Sequence, residues 1–333
     1  MKITFITHSL AGGGSEHVLT IIANYFATHG YEVTIISRTH KNNQYSIDSH
    51  IDVQYVETKS HLIFLRRSRQ IIRNIKPNTV ISFEYFYNMC AVLICLGLNV
   101  KLLISERNDP ARVGSGFIKS RIRNILYSFA DVLICQTDDA KNYFPDYIRK
   151  KVFIILNPIM SGLPSKQEKV RDKVIVNFCR LNKQKNIPLL ISAFEEFCNI
   201  HPDYELHIYG DGAEKETILD IIYSKHLERI IKVFPNTPNV HELVINAAMF
   251  VSTSDFEGLS NSMLEALSMG LPTICTDCPC GGARMVIEDG VNGFLLPVNN
   301  QKSLVDKMLL IAGSSELTIK LSNNALKINN KLN

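Results

Sequence analysis

The stretch that decides the fold and the chemistry runs from Ser254 to Pro272 and reads SDFEGLSNSMLEALSMGLP. Val251-Ser252-Thr253 comes directly before it and indicates the end of a strand. Small and polar residues from Gly258 to Ser262 then open a helix, and Gly270 closes it before Pro272. The segment therefore predicts a strand, a turn and a short helix.

A turn of this kind directs backbone N–H groups and the positive end of a helix towards an anion, usually a phosphate. Glu265 lies one turn into the predicted helix, where a carboxylate can accept hydrogen bonds from the paired hydroxyls of a ribose. Glu257 lies on the turn itself and could bind a second polyol. Phosphate, ribose and sugar groups together suit a nucleotide-sugar.

Four further motifs follow the pattern of strands and helices. In chain order they are Gly12-Gly13-Gly14-Ser15-Glu16, Arg180-Leu181-Asn182-Lys183-Gln184-Lys185-Asn186, Gly210-Asp211-Gly212 and Asp289-Gly290-Val291-Asn292-Gly293. With the two glutamates, they closely resemble the signature of the retaining glycosyltransferases of family 4, the E-x7-E type. The resemblance extends from Lys2 to about Leu326. The sequence is similar to the branch of the family that builds bacterial polysaccharides.

The resemblance implies an α/β architecture of the GT-B type, with two facing Rossmann-like doubly wound parallel-sheet domains and an interdomain cleft. The chain of 333 residues exceeds the size at which one core usually stops growing. Asn157-Pro158 and the polar segment from Ser161 to Lys173 interrupt the alternation of strands and helices. We therefore expect an acceptor-binding domain over 1–160 and a nucleotide-sugar-binding domain over 161–333.

Apolar runs rich in isoleucine and valine predict buried parallel strands on both sides of this boundary. The expected strands are Lys2–Thr7, Glu32–Ser37, Ile51–Val56, Thr79–Phe83, Lys101–Ile104, Val132–Cys135, Val152–Leu156, Val174–Cys179, Glu205–Tyr209, Ile230–Phe234, Met249–Thr253, Thr273–Cys275 and Phe294–Leu296. The start of the chain is interpreted as a first strand and not a signal peptide. The apolar stretch from Met89 to Ile104 predicts a helix, a turn and a strand and not a membrane span.

Charge is distributed unevenly between the two halves. Residues 1–160 hold 19 Lys and Arg against 12 Asp and Glu, a balance of +7, and the remainder holds 17 against 20, a balance of −3. The basic residues cluster in two predicted helices, at Arg66, Arg67, Arg69, Arg73 and Lys76 and at Lys119, Arg121 and Arg123. Such a face suits an anionic membrane surface or a pyrophosphate-linked lipid, although ordinary solvated helix faces remain an alternative. Nucleic acid is disfavoured, because the net charge is modest and no binding motif is present.

The eight cysteines and the donor site raise the question of a metal. Cys275, Cys278 and Cys280 lie close together in sequence, but neither Cys nor His supplies a fourth ligand nearby. We expect unpaired thiols in a reducing compartment, with no metal and no cofactor. The cationic Arg180 and Lys185 take the charge-neutralising part instead, since in the family pattern such residues hold the donor diphosphate.

The remaining donor contacts follow from the resemblance. Donor-binding residues are expected to be Gly13, Gly14, Arg180, Lys185, Gly212, Glu257, Gly258, Leu259, Ser260 and Glu265. Asn186 stands where the family usually has glycine, and asparagine tolerates a positive φ. A dinucleotide-binding turn is the rival interpretation of Gly12 to Gly14, but His17 occupies the position of the third glycine.

On the acceptor side, the resemblance directs attention to the segment after the strand that ends at Ile104. Many relatives have a histidine there, and the expected equivalent is Arg107, beside Glu106. Arginine can stabilise phosphate charge but cannot act as a base near neutral pH. Two alternatives stay open: Glu106 positions an acceptor hydroxyl, or Arg107 simply pairs with Asp109.

Together, the residues and the resemblance predict a metal-independent hexosyltransferase in which Glu257, Arg180, Lys185 and Arg107 are the catalytic residues. It moves sugar with retention from a UDP-sugar to a polyprenyl-diphosphate-linked saccharide, for capsule, O-antigen or exopolysaccharide. The expected location is the cytoplasm, peripheral on the inner face of the cell membrane. Alternatives are a glycoside hydrolase, a nicotinamide-dependent Rossmann oxidoreductase, and a non-catalytic sugar-binding subunit, the last because the histidine is absent.

Overall fold

The computed structural model describes residues 1–41, 45–160, 162–165 and 170–332. The chain divides into two compact units, Met1–Pro158 and Ile159–Asn333. This division falls two residues before the boundary expected from the sequence. Part of the polar segment between Ser161 and Lys173 lies outside the described residues, and its last two residues already belong to a strand.

The N-terminal unit is built on a parallel sheet in the order β3-β2-β1-β4-β5-β6-β7. Its strands are β1 (Lys2–Thr7), β2 (Glu32–Ser37), β3 (Asp52–Tyr55), β4 (Thr79–Phe83), β5 (Lys101–Ser105), β6 (Val132–Cys135) and β7 (Val152–Ile154). Its helices are α1 (Gly14–Thr28), α2 (His61–Ile75), α3 (Tyr85–Cys95), α4 (Phe117–Tyr127), α5 (Asp138–Tyr143) and α6 (Asp146–Arg149).

The C-terminal unit has a second parallel sheet, in the order β10-β9-β8-β11-β12-β13. Its strands are β8 (Asp172–Phe178), β9 (Glu205–Tyr209), β10 (Ile231–Phe234), β11 (Ala247–Ser252), β12 (Thr273–Thr276) and β13 (Phe294–Leu296). Its helices are α7 (Ile187–Cys198), α8 (Lys215–Ser224), α9 (Val240–Val244), α10 (Asn261–Ser268), α11 (Gln301–Ala312), α12 (Ser315–Ala325) and α13 (Asn329–Leu332), with 3₁₀ turns at Lys183–Lys185, Ala283–Met285 and Leu326–Ile328.

Each predicted strand has a counterpart in these sheets, with ends that differ by two residues or fewer. The central strands are buried on both faces, as in β1, where the five residues after Lys2 are all buried. Two apolar cores result, one around Phe5 and Ile35 in the N-terminal unit and one around Phe194 and Leu206 in the C-terminal unit. The expected α/β class with two Rossmann-like parallel-sheet domains is confirmed.

Each sheet has a point at which the order of its strands reverses. In the N-terminal sheet this point lies between β1 and β4, and in the C-terminal sheet it lies between β8 and β11. Loops at the carboxyl ends of such neighbouring strands diverge to opposite sides and leave a crevice that commonly binds ligands. The glycine-rich motif follows β1, whereas the Arg180–Asn186 motif and the two glutamates follow β8 and β11.

Candidate functional site

The loops after β8 and β11 are joined by main-chain contacts at the reversal point of the C-terminal sheet. The Asp255 N–H donates to the Gln184 carbonyl at 2.8 Å. In the opposite direction, the Gln184 side-chain amide donates to the Phe256 carbonyl, also at 2.8 Å. The two motifs, about 70 residues apart in sequence, therefore form one structure.

Asn186 and Thr253 reinforce this junction. The Thr253 hydroxyl lies 3.0 Å from the carbonyl oxygens of both Lys185 and Asn186. Asn186 has a φ of 45°, the left-handed conformation expected where relatives have glycine. Its side-chain amide donates to the Asp255 carboxylate at 2.8 Å. Asparagine thus allows the turn and also fixes it.

Lys185 and Glu257 form an ion pair at the centre of this junction. Their side chains are only 13% and 19% exposed, so water screens the pair weakly. Burial lowers the pKa of Lys185, but attraction to the Glu257 carboxylate outweighs it, so the pKa lies above its ordinary value. The ammonium is therefore held in its charged form.

The loop after β12 holds the Glu257 turn in place. The Glu257 N–H donates to the Pro279 carbonyl at 2.6 Å, and the Cys280 N–H donates to the Glu257 carbonyl at 3.0 Å. A Cβ at Gly282 would lie 1.7 Å from the Gly258 carbonyl oxygen. Only glycine allows the two backbones to approach this closely.

Helix α10 begins directly after this turn. Gly258, Leu259 and Ser260 are buried, and the Ser260 hydroxyl accepts the Met263 N–H as an N-cap at 3.5 Å. The positive end of the helix dipole therefore lies next to the turn that carries Glu257. This is the arrangement expected of an anion-binding strand–turn–helix segment.

Glu265 lies one turn into α10, and its carboxylate contacts His241 of α9. The distance from Nε2 of His241 to Oε2 of Glu265 is 3.0 Å. The imidazole also packs edge-on against Phe178 at the end of β8, with 5.9 Å between ring centres. His241 is the functional candidate that sequence reasoning missed, because one histidine 24 residues before its partner forms no pattern.

Arg180 and Gly212 occupy different kinds of position. Arg180 follows β8 after one residue and is an exposed residue at the carboxyl end of the sheet. A Cβ at Gly212 would lie 2.1 Å from the Leu181 carbonyl oxygen. The structure gives Gly212 a packing role, since it lets the Gly210–Gly212 turn approach the backbone of the Arg180–Asn186 motif.

In the N-terminal unit, the glycine-rich loop leads from β1 into α1. Gly13 is the N-cap residue of α1, and the exposed Gly14 is its first residue. The Ser15 hydroxyl donates to the carboxylate of Glu84, which follows β4. Glu84 has a φ of 74°, a strained value for a residue with a side chain. Sequence reasoning missed this carboxylate at the reversal point of the N-terminal sheet.

Glu106 does not lie where the acceptor-side expectation needs it. Its side chain is buried, with the residue only 2% exposed, and its carboxylate accepts a hydrogen bond from the Tyr127 hydroxyl at 2.9 Å. Burial raises the pKa of Glu106 to about 7. A direct contact of Glu106 with an acceptor hydroxyl is therefore corrected to an internal role, because Tyr127 and the protein interior occupy its surroundings.

Arg107 follows Glu106, and its side chain contacts Asn157 and Phe83. Its guanidinium donates to the side-chain oxygen of Asn157 and packs over the Phe83 ring, 5.1 Å from the ring centre. Burial lowers the pKa of Arg107 to about 10, and the nearby Glu84 charge opposes that change. Asp109 instead accepts the Ala111 N–H at 2.9 Å. Arg107 therefore remains a cation near neutral pH.

The cysteines and the helices bear on the questions of a metal site and of a membrane span. Cys275 and Cys278 are buried, and burial raises the pKa of both thiols, to about 12 in Cys278. Within the described ranges, no group of three His, Cys, Asp or Glu residues is arranged to hold a metal ion. In the same part of the chain, no helix combines the length and the apolar character needed to cross a membrane.

Two protein-family models match the chain, one in each unit. A model described as Glycosyltransferase Family 4 matches residues 12–160. A model described as Glycosyl transferases group 1 matches residues 163–328. The boundary between the two matches falls in the segment that separates the two sheets.

Individual relatives agree with the family models. One is the Campylobacter jejuni enzyme named GalNAc-alpha-(1->4)-GalNAc-alpha-(1->3)-diNAcBac-PP-undecaprenol alpha-1,4-N-acetyl-D-galactosaminyltransferase, which is 25% identical over 342 residues, covering 98% of this chain and 92% of the relative. The structure of HepE from Anabaena in complex with UDP-glucose has a TM-score of 0.84 at 17% identity, over 99% of this chain and 95% of that one. A mutant of TarM from Staphylococcus aureus, solved with UDP and other ligands, has a TM-score of 0.84 at 15% identity, over 100% and 97%.

The fold, the joined loops and these matches define an enzyme class: the protein is a glycosyltransferase with the GT-B fold. The N-terminal unit matches the Glycosyltransferase Family 4 model, and the C-terminal unit matches the Glycosyl transferases group 1 model. The enzyme class expected from the sequence is confirmed. The alternatives of a hydrolase, an oxidoreductase and a non-catalytic subunit are set aside.

Proposed function

We propose that this enzyme transfers a hexose from a UDP-sugar to a lipid-linked saccharide, with retention of configuration and without a metal ion. The acceptor would be a growing repeat of capsule, O-antigen or exopolysaccharide, carried on a polyprenyl diphosphate at the inner face of the cell membrane. The observation on which the proposal depends is the ion pair of Lys185 and Glu257, which joins the expected diphosphate loop to the expected sugar loop.

The charge that develops on the departing diphosphate is the main electrostatic problem of the reaction. An ammonium has three donors, so Lys185 can retain Glu257 and still donate to phosphate oxygens. The exposed guanidinium of Arg180 supplies a planar fork for the same group. Helix α10 adds the positive end of its dipole next to the turn.

Two carboxylates then bind the two polyols of the donor. Glu257 accepts hydrogen bonds from the sugar hydroxyls, next to the ammonium that neutralises the leaving group. Glu265 accepts them from the ribose diol, and His241 holds its carboxylate from the opposite side at 3.0 Å. Sugar, diphosphate and ribose are thereby placed in the order in which a nucleotide-sugar carries them.

The acceptor side belongs to the N-terminal unit in this proposal. Arg107 stabilises negative charge, and the partly buried Glu84 replaces Glu106 as the carboxylate that orients the attacking hydroxyl. The pair formed by Glu106 and Tyr127 supports the segment from behind. Attack from the face on which the diphosphate leaves retains the anomeric configuration.

The named relatives support this choice of substrates. HepE was solved with UDP-glucose. The Campylobacter jejuni enzyme is named for a saccharide linked through PP to undecaprenol. UDP as the donor nucleotide and a lipid diphosphate as the acceptor carrier are inferred for the present chain from these two proteins.

Transfer by the purified protein tests the proposal. UDP- and GDP-sugars are offered with synthetic polyprenyl-diphosphate saccharides, and the anomeric configuration of the product is read by NMR. The expected result is an α-linked product from an α-linked UDP-sugar, formed at the same rate in EDTA. An inverted product would contradict retention of configuration. Strict dependence on Mg²⁺ or Mn²⁺ would contradict metal independence, and transfer only from a GDP-sugar would contradict UDP as the donor nucleotide.

A further inference from the structure

Helix α4 of the N-terminal unit carries a stripe of exposed apolar side chains. Phe117, Ile118, Ile122, Ile125 and Phe129 are 76%, 71%, 50%, 54% and 58% exposed. Ile118, Ile122 and Ile125 follow at intervals of four and three residues, so they share one side of the helix, and Phe129 lies two residues past its end. An amphipathic helix normally turns such a stripe towards the core, whereas α4 turns it towards solvent.

The neighbouring helices extend this apolar surface and make it basic. Helix α3 contacts both α2 and α4, and Arg69 of α2 donates to the Ile94 carbonyl of α3 at 2.6 Å. Leu93 and Leu96 at the end of α3 are also exposed. We call the solvent side of these three helices the α2–α4 face.

The charges on the α2–α4 face have one sign. Helix α2 contains four arginines and α4 contains three Lys or Arg residues, while none of the three helices contains Asp or Glu. Of these basic residues, Arg66, Arg67, Arg73, Lys119 and Arg121 are exposed. Two are not: Arg69 is partly buried, and Arg123 is buried and donates to the Pro110 carbonyl.

We propose that the α2–α4 face docks on an anionic phospholipid bilayer, with the apolar stripe of α4 inserted among the acyl chains and the exposed cations on the headgroups. Apolar side chains flanked by Lys and Arg are the signature of a helix that lies in the membrane interface. A second copy of the chain fits less well, because a two-fold contact through this face would bring Lys119 and Arg121 against their own equivalents. The role of this surface in the cell rests on the proposed function, because a lipid-linked acceptor lies in a membrane. Binding of the surface to lipid can be measured without that acceptor.

A single fluorophore can report insertion, because the chain contains no tryptophan. Phe117→Trp places one at the start of α4. Ile319→Trp, on the exposed side of α12 in the C-terminal unit, is the control. With vesicles of phosphatidylcholine and phosphatidylglycerol, Phe117→Trp should shift to shorter wavelength and be quenched by brominated acyl chains. Ile319→Trp should show neither effect, and phosphatidylcholine alone should leave both variants unchanged.

Removal of the stripe tests the same surface without a probe. Ile118→Ser with Ile122→Ser should lower the vesicle partition coefficient by about tenfold or more, because two inserted side chains are lost. Ile200→Ser with Ile319→Ser removes two isoleucines of similar exposure from the C-terminal unit and should change it less than about twofold. Lys119→Gln with Arg121→Gln should weaken the preference for phosphatidylglycerol by about tenfold or more, because two of the five exposed cations are lost.

The outcomes separate this proposal from the proposed function. UDP-sugar binding by the Ile118→Ser, Ile122→Ser protein should equal that of wild type, which shows that the variant is folded and that its donor site is intact. Wild-type protein that binds UDP-sugar but no anionic vesicles would overturn the docking surface alone. Equal vesicle binding by the two double-serine variants would also overturn it. A dimer in analytical ultracentrifugation that is dissociated only by Ile118→Ser with Ile122→Ser would assign the surface to a second copy of the chain and overturn lipid docking.

Discussion

Lys185 and Glu257 form an ion pair although 72 residues separate them in sequence. The pair exists because β8 and β11 are neighbours at the point where the strand order reverses. One residue belongs to the motif expected to bind diphosphate, and the other to the pair of glutamates expected to bind sugar and ribose. Their contact is the physical link between leaving group and transferred group in the proposed reaction.

Glu257→Gln should separate turnover from nucleotide binding. The amide loses the negative charge that holds sugar hydroxyls beside the leaving group, so the transfer rate should fall by about 100-fold or more. UDP affinity should stay within about threefold of wild type, because the ammonium of Lys185 becomes available to phosphate. Calorimetric titration with UDP and a transfer assay measure the two quantities.

The control for that variant is Glu216→Gln, an exposed glutamate on α8. It should leave both the transfer rate and UDP affinity unchanged. A Glu257→Gln protein that loses UDP binding and turnover in equal proportion would contradict the assignment of Glu257 to the sugar.

His241→Ala should weaken UDP binding through Glu265. Loss of the 3.0 Å contact leaves the carboxylate free to rotate and unpartnered on that side. A hydrogen bond to a charged group contributes about 1.5–3 kcal/mol, so an affinity loss of roughly 10- to 100-fold is expected, with Glu265→Ala at least as severe. Titration with UDP, and with UMP to isolate the ribose end, measures the effect.

Glu242→Ala, the exposed residue next to His241, is the matched control and should bind UDP as wild type does. His241→Gln should recover part of the affinity, since its amide can still donate to the carboxylate. Unchanged UDP affinity in both His241→Ala and Glu265→Ala would remove the ribose assignment.

Gly282→Ala should destabilise the C-terminal unit and disturb the Glu257 turn. The added Cβ would lie 1.7 Å from the Gly258 carbonyl oxygen, a contact that only movement of the backbone can relieve. Overpacking of this kind costs about 1–3 kcal/mol or more, so a clear fall in the unfolding midpoint is expected. Gly313→Ala, whose Cβ would lie 3.2 Å from the Leu309 carbonyl, should change it much less. Equal midpoints for the two variants would contradict the close approach.

Glu106 should make stability depend on pH. Its pKa rises from 4.5 to about 7 in the folded protein, so the folded state binds the proton more tightly than the unfolded chain does. The stabilisation is complete below about pH 4.5 and is lost as pH rises through about 7, an effect on the order of 3 kcal/mol. The free energy of unfolding of Glu106→Gln, relative to that of wild type, should therefore increase as the pH is raised from about 5 to about 8.

Denaturant unfolding of wild type and Glu106→Gln at both pH values measures this difference. Glu57→Gln, an exposed glutamate of the same unit, should follow the wild-type dependence on pH. A difference between wild type and Glu106→Gln that is the same at both pH values would show that the carboxyl does not titrate in this range.

The sequence predicts the secondary-structure elements better than it predicts which side chains contact each other. Strand positions follow from runs of apolar residues, and Asn186 could be recognised as a substitute for glycine because its conformational preference is local. The burial of Glu106 was not predictable, because it depends on Tyr127 of α4, 21 residues away. His241 was missed for the same reason, since its role is defined by a contact with α10 and not by spacing.

The central claim is that the Arg180–Asn186 loop binds the diphosphate of a nucleotide-sugar, and one pair of variants tests it most directly. Lys183 and Lys185 lie in the same 3₁₀ turn, but Lys183 is exposed whereas Lys185 is paired with Glu257. We expect calorimetric titration with a UDP-sugar to show wild-type affinity for Lys183→Ala and a loss of about 100-fold or more for Lys185→Ala. Equal affinity in the two variants, or no binding of any UDP- or GDP-sugar to the wild-type protein, would contradict the account.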